Sequence, residues 1–451
     1  MTSSSPTYIY PVSEFPPCSV FELSLKHPAL IVPARRTAEL RNKLTHVMLH
    51  RHKTKSVYPL SDADPIPPVA AAATCGNDSI PANAKFRKLV LVNRPNIFQD
   101  DDVIQALIDS NECCKADHEI SVSYSDWTVD EVLRKLLPVE EVPSAFEIIG
   151  HLAHVNLREE LLPFKYLIGK VLLDKNVPRI KTVVNKIGSI ATEYRTFGME
   201  VIAGDEKDGW SLVTVKEEGC VYELDFRQVY WNSRLGGEHR RLVDIIREDA
   251  KRRWTTDQKI TVVADMMAGI GPFAVPLTSD GAEEIHVHAN DLNPASHKYL
   301  EANSKRNKCR NLHCYNMDAR AFCHRLQDEG IEFHHVLMNL PASAPEFLDA
   351  FRGFSGTILP RIHVHCFGPK DSESSEQQAV KRCAAALGCD LDFLVNEVVV
   401  HTVRDVAPKK NMYCVSFTLP DAIREIPRIS LTETGVEKPA EPLHKRTKID
   451  L

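Results

Sequence analysis

The sequence predicts an α/β protein: a Rossmann-like, doubly wound sheet with an antiparallel edge strand, preceded by a small α+β domain. Three observations predict it. Five segments of the C-terminal half, "KITVVADMMAGIG", "EIHVHANDLN", "NLHCYNMDAR", "FHHVLMNLP" and "RIHVHCFGP", each run from apolar residues into a polar cluster, the rhythm of a βαβ array and hence of a parallel sheet. The first of these ends in a glycine-paired turn, "ADMMAGIGPFAVP", placed where such sheets bind ligands. The last two apolar runs, "FLVNEVVVHTVRDVAP" and "NMYCVSFTL", are joined by a short loop, which makes them an antiparallel pair at the edge.

The chain divides into five stretches. Residues 1–84 are rich in proline, serine and alanine, with "DADPIPPVAAAATCGNDSIPANA" reading as a linker, so this part is expected to be mobile or only partly ordered. Residues 85–145, opening on "FRKLVLVN", form a small unit of unknown role. Over 146–235, "FEIIGHLAHVNL" alternates like a strand entering a turn, and "LLPFKYLIGKVLLDKN" has helical spacing. There "GMEVIAG" and "WSLVTVKEEGCVYELDF" supply two or three strands of a small sheet. Residues 236–420 hold the βαβ array and open on "GGEHRRLVDIIREDAKRRW", where Leu242, Ile245, Ile246 and Ala250 share one helical stripe. The polar tail, 421–451, is expected to be disordered.

Composition bounds the functions open to the chain. Its 451 residues, 43% hydrophobic and 26% charged, contain no apolar run near the ~20 residues of a membrane helix, so no membrane role is expected. A net charge of −6 means that any nucleic-acid surface must be a local basic patch. None of the 12 cysteines forms a C-x-x-C pair, so reduced thiols are expected and no metal site is. The N-terminus "MTSSSPTYIYPVSEFPP" has no secretory pattern but is serine-rich and free of acids until Glu14, which leaves a mitochondrial address open; "HKRTK" in the tail is a candidate nuclear address.

The turn itself carries the chemistry. Gly269 and Gly271 would let backbone approach a ligand, and Asp291 follows Gly271 by 20 positions, the distance at which an acid grips a ribose. A dinucleotide loop would want a third glycine, but Pro272 and Phe273 follow instead. Taken alone, the pair is equally a tight turn. Acids at the ends of successive strands, Asp265, Asp291 and Asp318, add weight, because three carboxylates suit a ligand with an ammonium, a ribose and an adenine amino group. S-adenosylmethionine has all three and no phosphate, whereas the pyrophosphate of NAD would sit badly among acids. At the fourth strand, Asn339 of "MNLP" could face a base edge and Pro341 would stiffen the turn, unless this is an ordinary strand end. No cysteine stands directly after Pro341, which argues against a covalent thiol route.

Together, "FRQVYWNSRLGGEHRRL", "DMMAGIGPFAVP", "ANDLNP", "MDAR" and "NLP" resemble the eukaryotic and archaeal tRNA (guanine-N1)-methyltransferases that act on guanine 37, over roughly Glu147 to Leu419. The resemblance implies a class I methyltransferase sheet, S-adenosylmethionine as donor, tRNA as acceptor, a tRNA-contacting domain ahead of the catalytic one, and a monomer. It implies cofactor contacts from His239, Asp265, Gly269, Gly271, Asp291, Leu292, Asp318, Ala319 and Asn339. It also makes Arg195 the arginine that reaches the guanine and Glu238 the general base. Glu238 suits that role chemically, because guanine N1 carries a proton that must leave as the methyl arrives; otherwise it is a helix-start acid favoured by the dipole.

Between Lys165 and Lys186 six basic residues face one acid. Lys165, Lys170 and Arg179 are accordingly expected to track tRNA phosphates, against the plainer reading of a solvated face. Two other functions stay open: aminocarboxypropyl transfer from the same cofactor to a modified tRNA guanine, and non-catalytic tRNA binding. Cytoplasm and nucleus are the expected compartments, with room for a mitochondrial matrix pool.

Overall fold

The computed structural model describes residues 18–51, 53–61, 64, 86–138, 142–143, 146–188, 198–207, 209–279, 281–370, 375–392 and 395–430. The chain forms two compact units, one of residues 1–146 with 157–178, the other of 147–156 with 179–451.

In the first unit, strand β1 (Leu23–Pro33) is the spine of an antiparallel sheet ordered β2-β3-β1-β4, where β2 is Val57–Pro59, β3 is Phe86–Val90 and β4 is Cys114–Val122. Leu30, Val32 and Leu89 bury one face of it with Leu40, Leu44, Ile104 and Leu107. The helix Val129–Leu136 starts at Thr128, whose side chain accepts from the Glu131 amide while Glu131 accepts from the Thr128 amide, a capping box. The division at residue 84 is therefore corrected: β1 pairs with both β3 and β4, so residues on the two sides of the proline-rich stretch build one sheet. Local composition cannot reveal a pairing of that span.

The second unit holds a seven-stranded sheet with order β13-β12-β11-β14-β15-β17-β16. Its strands are β11 (Thr261–Asp265), β12 (Ile285–Asn290), β13 (Leu312–Tyr315), β14 (His335–Met338), β15 (Arg361–Pro369), β16 (Val399–Ala407) and β17 (Lys410–Thr418). Strands β11 to β15 are parallel, and β17 runs antiparallel between β15 and β16, as expected. Chain order reverses between β11 and β14, which opens a crevice at the carboxyl ends of the central strands. The helix Gly236–Asp257 covers one face through Leu242, Val243, Ile246 and Ala250, packed on Val263, Phe273, Leu337 and Cys414; Ile245, expected on that stripe, is 36% exposed.

The stretch 146–235 is not one α+β domain. Strands β5 (Glu147–Ile149), β6 (Leu152–Val155), β7 (Thr182–Ile187) and β8 (Gly198–Gly204) form a four-stranded sheet, whereas β9 (Leu212–Glu217) and β10 (Cys220–Asp225) form a separate hairpin. Residues 157–178, including the helix Lys165–Asn176, belong to the first unit. The hairpin is bound to the helix Pro294–Arg306 of the seven-stranded sheet, where Asn303 and Asn307 side chains bridge to the backbone of Glu223 and Val221. The tail also begins later than 421: a short helical turn, Asp421–Glu425, buries Ile423 completely, and Arg428 pairs with Asp328 at 2.6 Å. The candidate nuclear and mitochondrial segments lie outside the described residues.

Candidate active site

A cavity of about 270 Å³ opens at the crevice. Its floor is the turn after β11. Gly269 has φ +57°, and a Cβ there would meet nothing within 4 Å, so the backbone faces open space; its N–H donates to Asp291 Oδ2 at 2.8 Å. Gly271 has another reason to be glycine: at φ +98°, its Cβ would come within 2.8 Å of Val275 and Leu300 side chains, so it lets the turn pack on the neighbouring helices and is off the cavity wall.

Successive strands then deliver one polar group each. Asn290, at the end of β12, ties three strand ends together by donating to the Met266 and Met317 carbonyls and accepting from the Met317 amide. Asp291 follows and accepts from the amides of Gly269 and Asn293; burial raises its pKa, and the two amides pull it back. After β13, Asp318 caps the helix Ala319–Asp328, Oδ1 accepting from the amides of Arg320 and Ala321, and the same residue lines the cavity. After β14, Asn339 lines it with a buried Oδ1 that has no hydrogen-bond partner among the described residues. Leu292, Ala319 and Pro341 complete this side, so the structure brings these residues together with Gly269, Asp291, Asp318 and Asn339.

Further lining comes from the segment before the long helix, Tyr230, Trp231, Asn232 and Leu235, and from His239 in the first turn of that helix. His239 Nδ1 lies 2.6 Å from Glu217 Oε1, and its ring meets Phe273 edge-on at 4.9 Å, so its orientation is held from two sides. Phe347, Phe367, Arg404, Val406 and Met412 close the far end. Sequence reasoning missed these and Trp231. The adjacent aromatics of "VYWNSR" were a usable signal for Trp231, but nothing local marks Phe367 or Arg404.

Besides Gly271, two expected residues are not on the wall. Asp265 is fully buried, and among the described residues neither carboxylate oxygen meets a donor in hydrogen-bond geometry. Burial, with the Asp291 charge added, pushes its pKa up to about 8, only partly opposed by the Met267 amide and His365. The structure thus places Asp265 behind the cavity and not on its wall, where burial favours the neutral form. Glu238 is likewise buried and absent from the wall. Arg241, one turn along the same helix, clasps both oxygens at 2.7 Å, and His365 Nε2 reaches Oε1 at 2.8 Å. Burial alone would raise the pKa of Glu238, but these partners bring it down to about 2; His365 is raised in turn by Cys414 and Glu238 against its own burial. Glu238, His365 and Cys414 also have the spacing of metal ligands, although Arg241 already occupies the carboxylate.

Of the expected tRNA contacts, Lys165 begins the helix Lys165–Asn176, Lys170 pairs with Asp174 at 2.6 Å, and Arg179 is exposed. Lys165 and Lys170 belong to the first unit and Arg179 to the second. Arg195 lies outside the described residues.

The wall fits S-adenosylmethionine. The open backbone at Gly269, the acids Asp291 and Asp318, and the apolar Leu292 and Ala319 provide acceptors for the ribose and adenine amino groups and surfaces for the ring.

Residues 213–391 match the TRM5/TYW2 methyltransferase domain, and residues 129–208 match the TYW2 N-terminal domain. The tRNA (guanine(37)-N(1))-methyltransferase 1 of Phaeodactylum tricornutum is 53% identical over 441 residues, 97% of this chain and 95% of that protein. The tRNA (guanine(37)-N(1))-methyltransferase of Phytophthora infestans is 39% identical, over 90% of this chain and 92% of its own. Solved structures of Trm5b from Pyrococcus abyssi and of aTrm5 in complex with tRNALeu each superpose with a TM-score of 0.57, covering 87% of this chain and 99% of theirs; at 23% and 19% identity they speak for the fold. With a relative 53% identical across nearly its whole length, the chain belongs to the tRNA (guanine(37)-N(1))-methyltransferase family.

Proposed function

We propose that this chain transfers the methyl group of S-adenosylmethionine to N1 of the guanine at tRNA position 37. The observation that carries the reading is the cavity at the switch point, whose lining holds acceptors suited to the cofactor and where Asn339 presents a buried acceptor without a donor among the described residues. When bound, the cofactor supplies an electrophilic methyl on a sulfonium, which moves to N1 as the N1 proton leaves.

The chain's own residues divide the rest. Asp291 and Asp318 hold the ribose and the adenine amino group, with Leu292 and Ala319 against the ring. His239, fixed by Glu217, faces the cofactor side. Asn339 can accept from the N1 or N2 hydrogens of guanine or donate to O6, and Pro341 stiffens the loop that presents it. Glu238 takes the proton. It shares a helical turn with His239 of the wall, and docked guanine would have to displace Arg241 or His365 from its oxygens; catalytic hydrogen bonds often form only in the complex. Arg195 steadies the guanine, and Lys165, Lys170 and Arg179 meet tRNA phosphates. These site roles rest on the sequence resemblance together with the placements above. The protein acts as a monomer, without membrane attachment, in cytoplasm and nucleus with a mitochondrial matrix pool; light scattering and localisation of a tagged chain test these.

Incubation with labelled cofactor and tRNA carrying guanine or another base at position 37, followed by mass analysis of the digest, tests the reaction. The expected product is 1-methylguanosine at that site alone. A heavier aminocarboxypropyl adduct, or binding without transfer, would replace this reading by one of its competitors.

A further inference from the structure

Beside the cavity lies a shallow basic recess lined by Ala342, Phe367, Gly368, Pro369, Arg382, Lys409 and Lys410. Phe367 borders both, and Pro341 of the cavity adjoins Ala342 of the recess. The recess is built by the ladder of β15 on β17, which sets Phe367 opposite Met412 and Pro369 opposite Lys410. The tight turn Ala407–Lys410 then projects at the end of the β16–β17 hairpin.

The charges there fall into two kinds. Arg382 is committed to structure: it donates to Glu346 at 2.6 and 2.9 Å and to the Ala342 carbonyl at 2.7 Å, which holds the recess wall. Lys370 is paired with Asp405 at 2.6 Å. Lys409, Lys410 and Arg404, in contrast, have no carboxylate within ion-pair distance among the described residues. Lys409 and Lys410 are exposed, and Lys410 Nζ stands 4.2 Å over the Phe367 ring; Arg404 reaches the cavity itself. Such a cluster on a chain of net charge −6 is a local exception.

We infer that this hairpin is a phosphate clamp: Lys409 and Lys410 bind the RNA backbone flanking the target guanine, and Arg404 binds it where the strand enters the cavity. The inference rests on the proposed function, because it places the guanine at Asn339 and Pro341, next to the recess. A nucleotide turned out of its stack into a cavity leaves its neighbouring phosphates at the cavity rim, where Lys409 and Lys410, without a carboxylate partner among the described residues, can meet them.

The test replaces Lys409 and Lys410 together by Gln and measures tRNA affinity across salt, cofactor affinity, and single-turnover methylation with both substrates saturating. tRNA affinity should fall about 10-fold, and the slope of log affinity against log salt should flatten by roughly 1 to 2, as for the loss of two phosphate contacts. Cofactor affinity and the saturated chemical rate should stay at wild-type values, and Lys409→Arg with Lys410→Arg should restore binding. Unchanged affinity and slope would overturn the clamp, as would a loss confined to the saturated rate. If the wild-type protein makes no 1-methylguanosine, the proposed function fails instead, and the two outcomes are distinguished by that control.

Discussion

The cavity wall and the buried layer between the helix Gly236–Asp257 and the sheet both carry carboxylates, held by different partners. On the wall, Asp291 and Asp318 accept from backbone amides, neutral donors that fix each side chain while leaving lone pairs for a ligand. In the buried layer, Glu238 is clasped by a guanidinium and an imidazole, and Asp249 reaches His335 at 3.2 Å, which in turn contacts His363. There the partners are themselves charged or titratable; His335, His363 and His365 are buried with Glu238, while Arg241 and Asp249 are half-buried. An acid held by amides is ready to bind; an acid held by cations stabilises the fold and must exchange a partner before it can react. Asp265 has neither kind of partner in hydrogen-bond geometry among the described residues, and burial with the Asp291 charge raises its pKa.

The contrast can be broken first at Glu238. Glu238→Gln keeps shape and most hydrogen bonds but cannot accept a proton, so single-turnover transfer should slow by roughly 100-fold or more while cofactor and tRNA affinities hold. A near-normal rate would leave Glu238 with the structural role alone. Glu238→Ala goes further and strands Arg241 and His365 in the buried layer; denaturant unfolding should show a loss of about 3 kcal/mol, the scale of a buried pair that loses one partner. The sign of the pH dependence follows. A carboxyl held near 2 in the fold and titrating near 4.5 when unfolded contributes stability above 4.5 that is lost as pH falls toward 2. Asp249, also brought down to about 2, adds to the same acid limb, so Glu238→Gln should blunt that limb without abolishing it.

The wall acids give smaller effects. Asp318→Asn retains an oxygen to cap the helix but exchanges one acceptor for a donor, so the cofactor dissociation constant should rise about 10-fold with little change in stability. Asp318→Ala should add a loss of roughly 1 kcal/mol in unfolding free energy as the cap goes. Equal loss of cofactor and tRNA binding in the Asn variant would remove Asp318 from the adenine end. On cofactor affinity the smallest effect is expected at Asp265, whose change is in stability. Its folded pKa, raised above 3.8 to about 8, favours the fold at low pH, and that advantage is lost as pH rises through 8. Asp265→Asn should therefore stabilise the free protein relative to wild type at pH 8, with the difference vanishing near pH 4, and should leave cofactor affinity unchanged. A large loss of affinity would return Asp265 to the cofactor site.

Much of the catalytic sheet could be read in the sequence because its signals are local. Each parallel strand is an apolar run whose polar end falls at the crevice, so Gly269, Asp291, Asp318 and Asn339 were found where the strands end. What escaped depends on long-range pairing or side-chain direction. Strand β1 finds β3 and β4 across the proline-rich stretch. Glu238 and His239 are adjacent in sequence, yet only His239 lines the cavity, because neighbouring positions on a helix point about a quarter turn apart. Phe367 and Arg404 reach the site through the register of β15, β17 and β16, which no single segment encodes.

The central claim, that the crevice is the place of methyl transfer and Asn339 its guanine-facing group, is tested most directly by single-turnover methylation of guanine-37 tRNA by Asn339→Ala with both substrates saturating. The predicted result is a chemical rate lower by roughly 100-fold or more, with cofactor and tRNA dissociation constants near wild type. A rate close to wild type, or a defect wholly accounted for by weaker binding, would contradict the claim.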